Sequence, residues 1–429
     1  MIDVIKGLLE NNAHLSDWSI HETHTISEEL FFIKKALDMN RTKDVRHYRI
    51  TVYVDINEDD KTYTGMASYR LHPTMNKEEI AQVIENAAFS ARFAKNKAFQ
   101  LVDPSDMQVT TSDQLSKSEL TDGILAIRDQ LYKSDHYDKG FINSSEIFVN
   151  HAYHRIMNSR GVDVSYQNQS CALEVLTQWK EAKEDVEIYE EYNYTDYHTA
   201  IEERIEEQLM RAKDKAIARP MPLLKDIPII MRATEVREIL NYYVRHANAM
   251  SVYEGVSQFK TGTSIQGDVK GDYVNITLNP MMENSTKSSP VDSDGMILST
   301  FNLITDGILN DYHGSNQYAQ YLGIEPTGHI QNMEVGSGSK SYGQIIKEPH
   351  IEILSFSSFD MESVSGSFGG EIRLARYFDG ENHAVFTGGS LSANIKEVQE
   401  KMYFTKEMEQ VDYYRGPKAL TYVGYIASA

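Results

Sequence analysis

Cysteine is almost missing from the 429 residues: Cys171 stands alone. One thiol excludes an intramolecular disulfide and a thiolate-rich zinc site by count, and its place in an alternating stretch reads as a small strand residue. Basic residues are also short. Lys and Arg total 42 against 63 Asp and Glu, a formal charge of −21, so an extended phosphate-binding surface and direct nucleic-acid binding are not expected. No segment approaches the ~20 consecutive apolar residues that a membrane-spanning helix needs. Met1 to Asn12 is an acidic-flanked amphipathic pattern with neither a basic leader nor an unbroken apolar stretch, which predicts a cytoplasmic chain with no membrane partner. A Gly-x-Ser-x-Gly elbow between strand and helix is missing too.

What is present is ordinary for a globular protein: 41% hydrophobic and 24% charged residues. The length predicts two domains. Arg219-Pro220-Met221-Pro222 cannot continue a helix, and the texture changes there, which divides the chain into residues 1–220 and 221–429. The expected class is α+β: an N-terminal antiparallel sheet with packed helices, then a C-terminal β-rich domain with a curved or barrel-like sheet.

In the first part, strands are expected at 17–26, 29–35, 45–56 and 62–71, with Asn57-Glu58-Asp59-Asp60 as a turn. Asn76 and Glu79 make a capping box ahead of the apolar stripe Ile80, Val83, Ile84, Ala87, Ala88 and Ala91. A further helix is expected over 114–132. Strands at 146–152 and 155–157 lead to the hairpin turn Asn158-Ser159-Arg160-Gly161, with Gly161 at positive φ, and 162–166, 172–178 and 186–192 continue the alternation. A helix over 197–218 buries Ile201, Ile205, Leu209, Ala212 and Ala216, and its glutamates Glu202, Glu203, Glu206 and Glu207 read as a solvated face.

The second part turns on the stretch from Ile227 to His246, an apolar run that passes into a helix. Val236, Ile239, Leu240, Tyr243, Val244 and Ala247 form one buried face. Glu235, Glu238, Arg245 and His246 fall on the other, and Thr234 is placed to cap the helix start. Beyond it, short strands and turns dominate. Asp292-Ser293-Asp294-Gly295 reads as a turn held by Asx hydrogen bonds rather than a cation site. Gly336-Ser337-Gly338-Ser339 resembles a phosphate loop loosely, but Tyr342 to Ile346 reads as strand where a phosphate loop needs a helix. Thr327-Gly328-His329, followed by the Gly336-Ser337 loop, presents a histidine among flexible backbone groups that could lie beside an extended peptide. His21 with His24, and His151 with His154, point to opposite faces of a strand, so neither pair suits one ion.

The order of these features resembles the TldD/PmbA family. The resemblance rests on the strand and helix at 227–247, on Asp292-Ser293-Asp294-Gly295, on Leu303 to Leu309, on Ala319 to Gly323 with Pro326-Thr327-Gly328-His329, and on Ser365-Gly366-Ser367-Phe368. In the first half it rests on the helix-plus-meander start and the turn Asn158 to Val162. The family is described as modulators of DNA gyrase and is associated with cytoplasmic metal-dependent peptide processing. The resemblance implies dimers of a TldD-type and a PmbA-type (TldE) chain, the TldD-type chain holding zinc through His-Glu-x-x-x-His and a later cysteine. In this sequence the motif falls on Thr234-Glu235-Val236-Arg237-Glu238-Ile239, where only Glu235 matches, and Cys171 lies in the wrong domain to be the third ligand. The implied reading is a PmbA/TldE-like subunit with no metal or other cofactor of its own and a vestigial Glu235. Its expected companions are a peptide substrate and a zinc-bearing TldD-type partner, or a second copy. An independently active metallopeptidase, or a non-proteolytic binding protein acting on gyrase, are the alternatives.

Overall fold

The computed structural model describes residues 1–181 and 185–429. The first sheet has seven strands: β1 (Asp17–Ile33), β2 (Ala36–Glu58), β3 (Lys61–Leu71), β4 (Lys95–Lys97), β5 (Gly140–Asn158), β6 (Asp163–Lys180) and β7 (Asp185–Tyr194). Their order is β4-β3-β2-β1-β5-β6-β7, with all neighbours antiparallel. The two strands expected at 17–26 and 29–35 are one. Partners on both sides hold β1 through the polar stretch Ser27 to Glu29; the buried Glu29 carboxylate is matched by Arg41 and Lys43 from β2. The strands expected at 146–152 and 155–157 fuse in β5 by the same double pairing.

One face of this sheet is covered by helices. α1 (Ile2–Glu10) and α2 (Lys77–Ala91) bury Trp18, Ile20, Ile50 and Val52, whereas α3 (Lys117–Leu131) and α4 (Glu202–Ala216) bury Ile147, Val149, Leu173 and Val175. Asn76 and Glu79 form the expected capping box on α2. Gly161 turns the β5–β6 hairpin at φ +104°. Residues of the opposite face, among them Thr25, Ala152 and Asn168, are half-buried.

The C-terminal part is a closed barrel beside a smaller sheet, as the expected β-rich class requires. Strands β8 (Leu224–Arg232), β9 (His350–Met361), β10 (Ser367–Phe378), β11 (Ser390–Asn394) and β12 (Ala419–Ala427) run in the order β9-β8-β12-β11-β10, and β10 pairs back onto β9 to complete the ring of five. Closure needs close backbone approach. A Cβ on Gly369, at φ +154°, would sit 2.1 Å from the Leu391 carbonyl oxygen, so only glycine serves there. The neighbouring sheet of six short strands includes 276–278, 301–305, 333–335 and 408–411.

Helix α5 (Ala233–His246) follows β8 without a loop. Val236, Ile239, Leu240, Tyr243 and Ala247 are fully buried in one core with barrel residues Ile229, Ile351 and Ile372, as the periodicity predicts. Two details differ. Thr234 lies inside the first turn and Arg232 is the N-cap, with no side-chain cap, because β8 keeps its register with β12 up to Arg232. His246 is buried rather than outward: its ring lies against Tyr242 and Phe259, and Nε2 reaches the Ser363 carbonyl at 2.6 Å.

Candidate functional site

The N-terminal end of α5 opens into a cavity of about 680 Å³. Three stretches of strand with free edges converge on it. Tyr189 to Asn193 belong to β7, the outermost strand of the first sheet. Leu354 to Phe359 lie in β9 beyond Glu352, where its pairing with β8 ends. Glu409 and Val411 lie on the terminal strand of the six-stranded sheet. An unpaired strand edge offers a row of backbone N–H and C=O groups to another extended chain.

Charged side chains line the same space, among them Arg204, Arg211, Glu207 and Glu235. The Arg211 guanidinium donates through Nη1 to Glu190 at 2.8 Å, while its buried Nε has no partner among the described residues. Arg232 donates through Nε to Glu352 at 3.0 Å and also binds Glu207. Tyr342 donates its hydroxyl to the same Glu352 oxygen at 2.6 Å. Glu235 is half-buried, and burial pushes its carboxyl up to about 7, with Glu190 adding to the rise and Arg232 and Arg211 opposing it. Near neutral pH such a group can donate or accept a hydrogen bond, because it is divided between two protonation states.

The donor set does not fit a zinc ion. Thr234 is an exposed hydroxyl and Ile239 an apolar side chain with 0% exposure in the core. Among the described residues no group of three or more His, Cys, Asp and Glu side chains is placed to hold a metal. Cys171 is far from meeting this need: it is fully buried beneath α3 and α4, where burial pushes its thiol up to about 12.

The loop residues suggested by sequence lie elsewhere. Thr327 accepts the Gly314 N–H at 3.0 Å, and the His329 N–H donates to Asp292 Oδ2 at 3.2 Å. Gly328, at φ +71°, is packed so that a Cβ would lie 2.3 Å from Leu298. His329 itself is exposed. Gly336 and Ser337 are exposed, the Gly336 N–H held by the Asn275 carbonyl at 3.0 Å. None of these five lines the Glu235 cavity. Asp292 serves its turn, accepting from Asp294 and Met296 N–H at 2.9 and 3.0 Å. Tyr342–Ile345, read as strand, is a short helix with a Ser341–Gln344 capping box, but the preceding loop spends the Gly338 N–H on the Thr405 carbonyl.

Glu207 is the residue the sequence reading placed wrongly. It belongs to the supposedly solvated face of α4, yet Arg232 binds it, and Tyr137 binds Glu206; only Glu202 and Glu203 are exposed. Spacing on one helix does not reveal a cation arriving from a strand 25 residues later. The histidines likewise pair across strands: His21 Nε2 lies 3.3 Å from His154 Nδ1, while His24 meets Asp44 and His151 meets Gln167.

Comparison with known proteins adds a family and a fold. Residues 225–423 match the family described as the PmbA/TldA metallopeptidase C-terminal domain. No curated protein matches the chain by sequence. Among solved structures, TldE from Thermococcus kodakarensis is similar with 13% identity and a TM-score of 0.76, covering 99% of this chain and 100% of that one. A protein described as a modulator of a DNA gyrase from Thermotoga maritima is 18% identical with a TM-score of 0.76 over 100% and 99%. Another so described, from Bacteroides thetaiotaomicron, is 16% identical with a TM-score of 0.75 over 100% and 98%. At these identities the likeness is one of fold.

Proposed function

Because this chain carries the C-terminal domain of the TldD/PmbA family across residues 225–423, we propose that it is a PmbA/TldE-like subunit that binds no zinc itself, holds an extended peptide in the Glu235 cavity, and supports a zinc-bearing TldD-type partner. The observation that carries this reading is the side-chain set on α5. At the two histidine positions of the zinc motif stand Thr234, a hydroxyl, and Ile239, an apolar side chain in the core. A catalytic zinc takes three protein ligands and a water, and none of the three ligand positions that the motif implies is filled here.

The cavity supports the peptide part of the reading. Extended chain segments bind free strand edges through main-chain hydrogen bonds that do not depend on sequence. The β7 edge and the unpaired length of β9 provide such groups on two sides. The Arg211 Nε hydrogen, without an acceptor among the described residues, suits a peptide carbonyl, and Glu235, with its carboxyl near 7, suits either an amide or a carbonyl.

The test is elemental analysis of the purified chain, alone and mixed with a TldD-type chain, with peptide hydrolysis followed in parallel. The expected result is far less than one zinc per chain when alone, no hydrolysis, and hydrolysis on adding the partner. Chelator-sensitive hydrolysis by the isolated chain would establish an independent metallopeptidase and overturn the reading.

A further inference from the structure

The helix-covered face of the seven-stranded sheet is not apolar throughout. The core under α1 and α2 holds Ile20 and Ile50, and the core under α3 and α4 holds Ile26 and Val149. Between them two rows of polar side chains cross the strands. One row runs Tyr48, Glu22, Arg155 and Ser165, and the next Arg46, His24, Tyr153 and Gln167. A cavity of about 730 Å³ lies over these rows, a size in the range of small-molecule sites. The segment 108–113 forms its other wall. That segment is fixed to β6, where the Ser165 N–H donates to the Val109 carbonyl at 2.8 Å and Ser165 Oγ accepts the Thr111 N–H at 3.0 Å.

Glu22 and Arg155 stand directly opposite each other on paired strands, a position that sets Cβ atoms about 5 Å apart, yet no ion pair joins them. Each is turned to another partner. Glu22 is 3% exposed and accepts from Arg46 Nη1 through Oε1 at 2.7 Å, with the Tyr48 hydroxyl beside it. Arg155 donates through Nε and Nη2 to Asp163, both at 2.8 Å, and its Nη1 has no hydrogen-bond partner among the described residues. Opposite charges set side by side in a covered face, and not joined, are costly unless a polar group fills the space between them.

We propose that this cavity binds a free α-amino acid with a polar, uncharged side chain. The ligand ammonium takes the second Glu22 oxygen and the ligand carboxylate takes Arg155 Nη1, two groups close enough to serve both substituents of one α-carbon. The charges around the cavity require a ligand of both signs. An anion alone would meet Glu22, Asp113 and Asp163, and a cation alone would meet Arg46 and Arg155. The remaining walls carry hydroxyl and amide groups from Tyr153, Gln108, Thr110 and Thr111, and these select the side chain. None of these residues lines the Glu235 cavity, and the inference does not depend on the reading of that site.

Isothermal titration calorimetry of the full chain tests it, with L-glutamine, L-asparagine, L-serine and L-threonine each titrated to millimolar concentration. At least one is expected to bind with one site per chain. Its N-acetyl derivative lacks the ammonium and its carboxamide lacks the carboxylate. Each is expected to bind roughly tenfold more weakly or worse, the loss of one charge-assisted hydrogen bond. Glu22→Gln and Arg155→Lys, which remove the same two contacts from the protein side, are expected to weaken the parent amino acid to the same degree. Circular dichroism and urea unfolding show whether each variant is folded, and the blocked derivatives on the wild type decide the matter if one is not. Failure of all four amino acids to bind overturns the inference. So does a blocked derivative that binds as well as its parent, or a folded variant whose affinity is unchanged.

Discussion

Arg232 donates through Nε to Glu352 at 3.0 Å and through Nη1 to Glu207, so one guanidinium joins barrel strands β8 and β9 to helix α4 of the other layer. Glu352 is 4% exposed and would be left with only the Tyr342 hydroxyl if the guanidinium were removed. Removing one partner of a buried pair leaves an uncompensated charge, which costs about 3 kcal/mol here, the lower end because Arg232 keeps some solvent contact. Urea unfolding of Arg232→Ala is expected to show that loss. Arg232→Lys is expected to recover only part of it, because an ammonium cannot offer the planar fork that reaches two carboxylates. A loss below 1 kcal/mol for Arg232→Ala would mean that the network does not join the layers.

Glu235 gives stability a pH dependence of known sign. Its carboxyl rises from 4.5 to about 7 on folding, so the native state binds more protons than the unfolded one between those values, and stability falls as pH rises. The contribution is fully present below 4.5 and is lost as pH passes 7. Glu235→Gln keeps the shape and removes the charge. It is expected to match the wild type at pH 4 and to exceed it by about 1–2 kcal/mol at pH 8, less than the full shift implies because the site is partly open to water. Parallel unfolding curves for the two proteins across that range would show that Glu235 is not held in a desolvating site.

Restoring the lost motif by substitution is expected to fail at one position and succeed at the other. Thr234 is exposed, so Thr234→His changes stability by less than about 0.5 kcal/mol. Ile239 is 0% exposed among Val236, Leu240 and the barrel residues. An imidazole there leaves ring nitrogens without partners and packs badly, costing about 3 kcal/mol. The double variant is expected to unfold at lower urea and to take up no stoichiometric zinc by elemental analysis. A double variant with native stability and one zinc per chain would show that the scaffold is still built for the metal.

Elements whose signal lies within a few residues were legible in the sequence. The Asn76–Glu79 capping box, the Gly161 turn and the buried face of α5 each depend on neighbours along the chain. The continuity of β1 was not legible, because Ser27 to Glu29 breaks the apolar pattern and only the paired strands, with Arg41 and Lys43, make the buried Glu29 tolerable. The start of α5 was misplaced by two residues for a related reason: barrel register holds Arg232 in strand geometry, so Thr234 never reaches the cap. The candidate cavity was least legible. Its walls come from α4, β7, β9 and the 408–411 strand, and nothing in the local pattern of any one says that their free edges meet.

His21 and His154 supply an acid-sensitive contact on the same sheet. His21 is pushed down to about 4 by burial, then by His154 and Arg49, and His154 is lowered by burial with Asn168 opposing. A histidine whose folded value lies below 6.5 contributes stability that is present above 6.5 and lost as pH falls through the folded value. Arg49 faces the pair from β2, Tyr166 stacks on His154 from β6 at 4.8 Å, and none of the ion pairs among the described residues brings a carboxylate to either ring. Protonation therefore sets two cations beside a third. His21→Gln is expected to remove about 1–2 kcal/mol of the stability lost between pH 6.5 and 4, with the half-burial of both rings keeping the effect below the full shift. The measurement is the difference in unfolding free energy between wild type and variant across that range, together with the NMR titration of the His154 ring. His21 removal that leaves the acid limb of the stability profile unchanged, with His154 titrating as before, would show that the two imidazoles are not coupled.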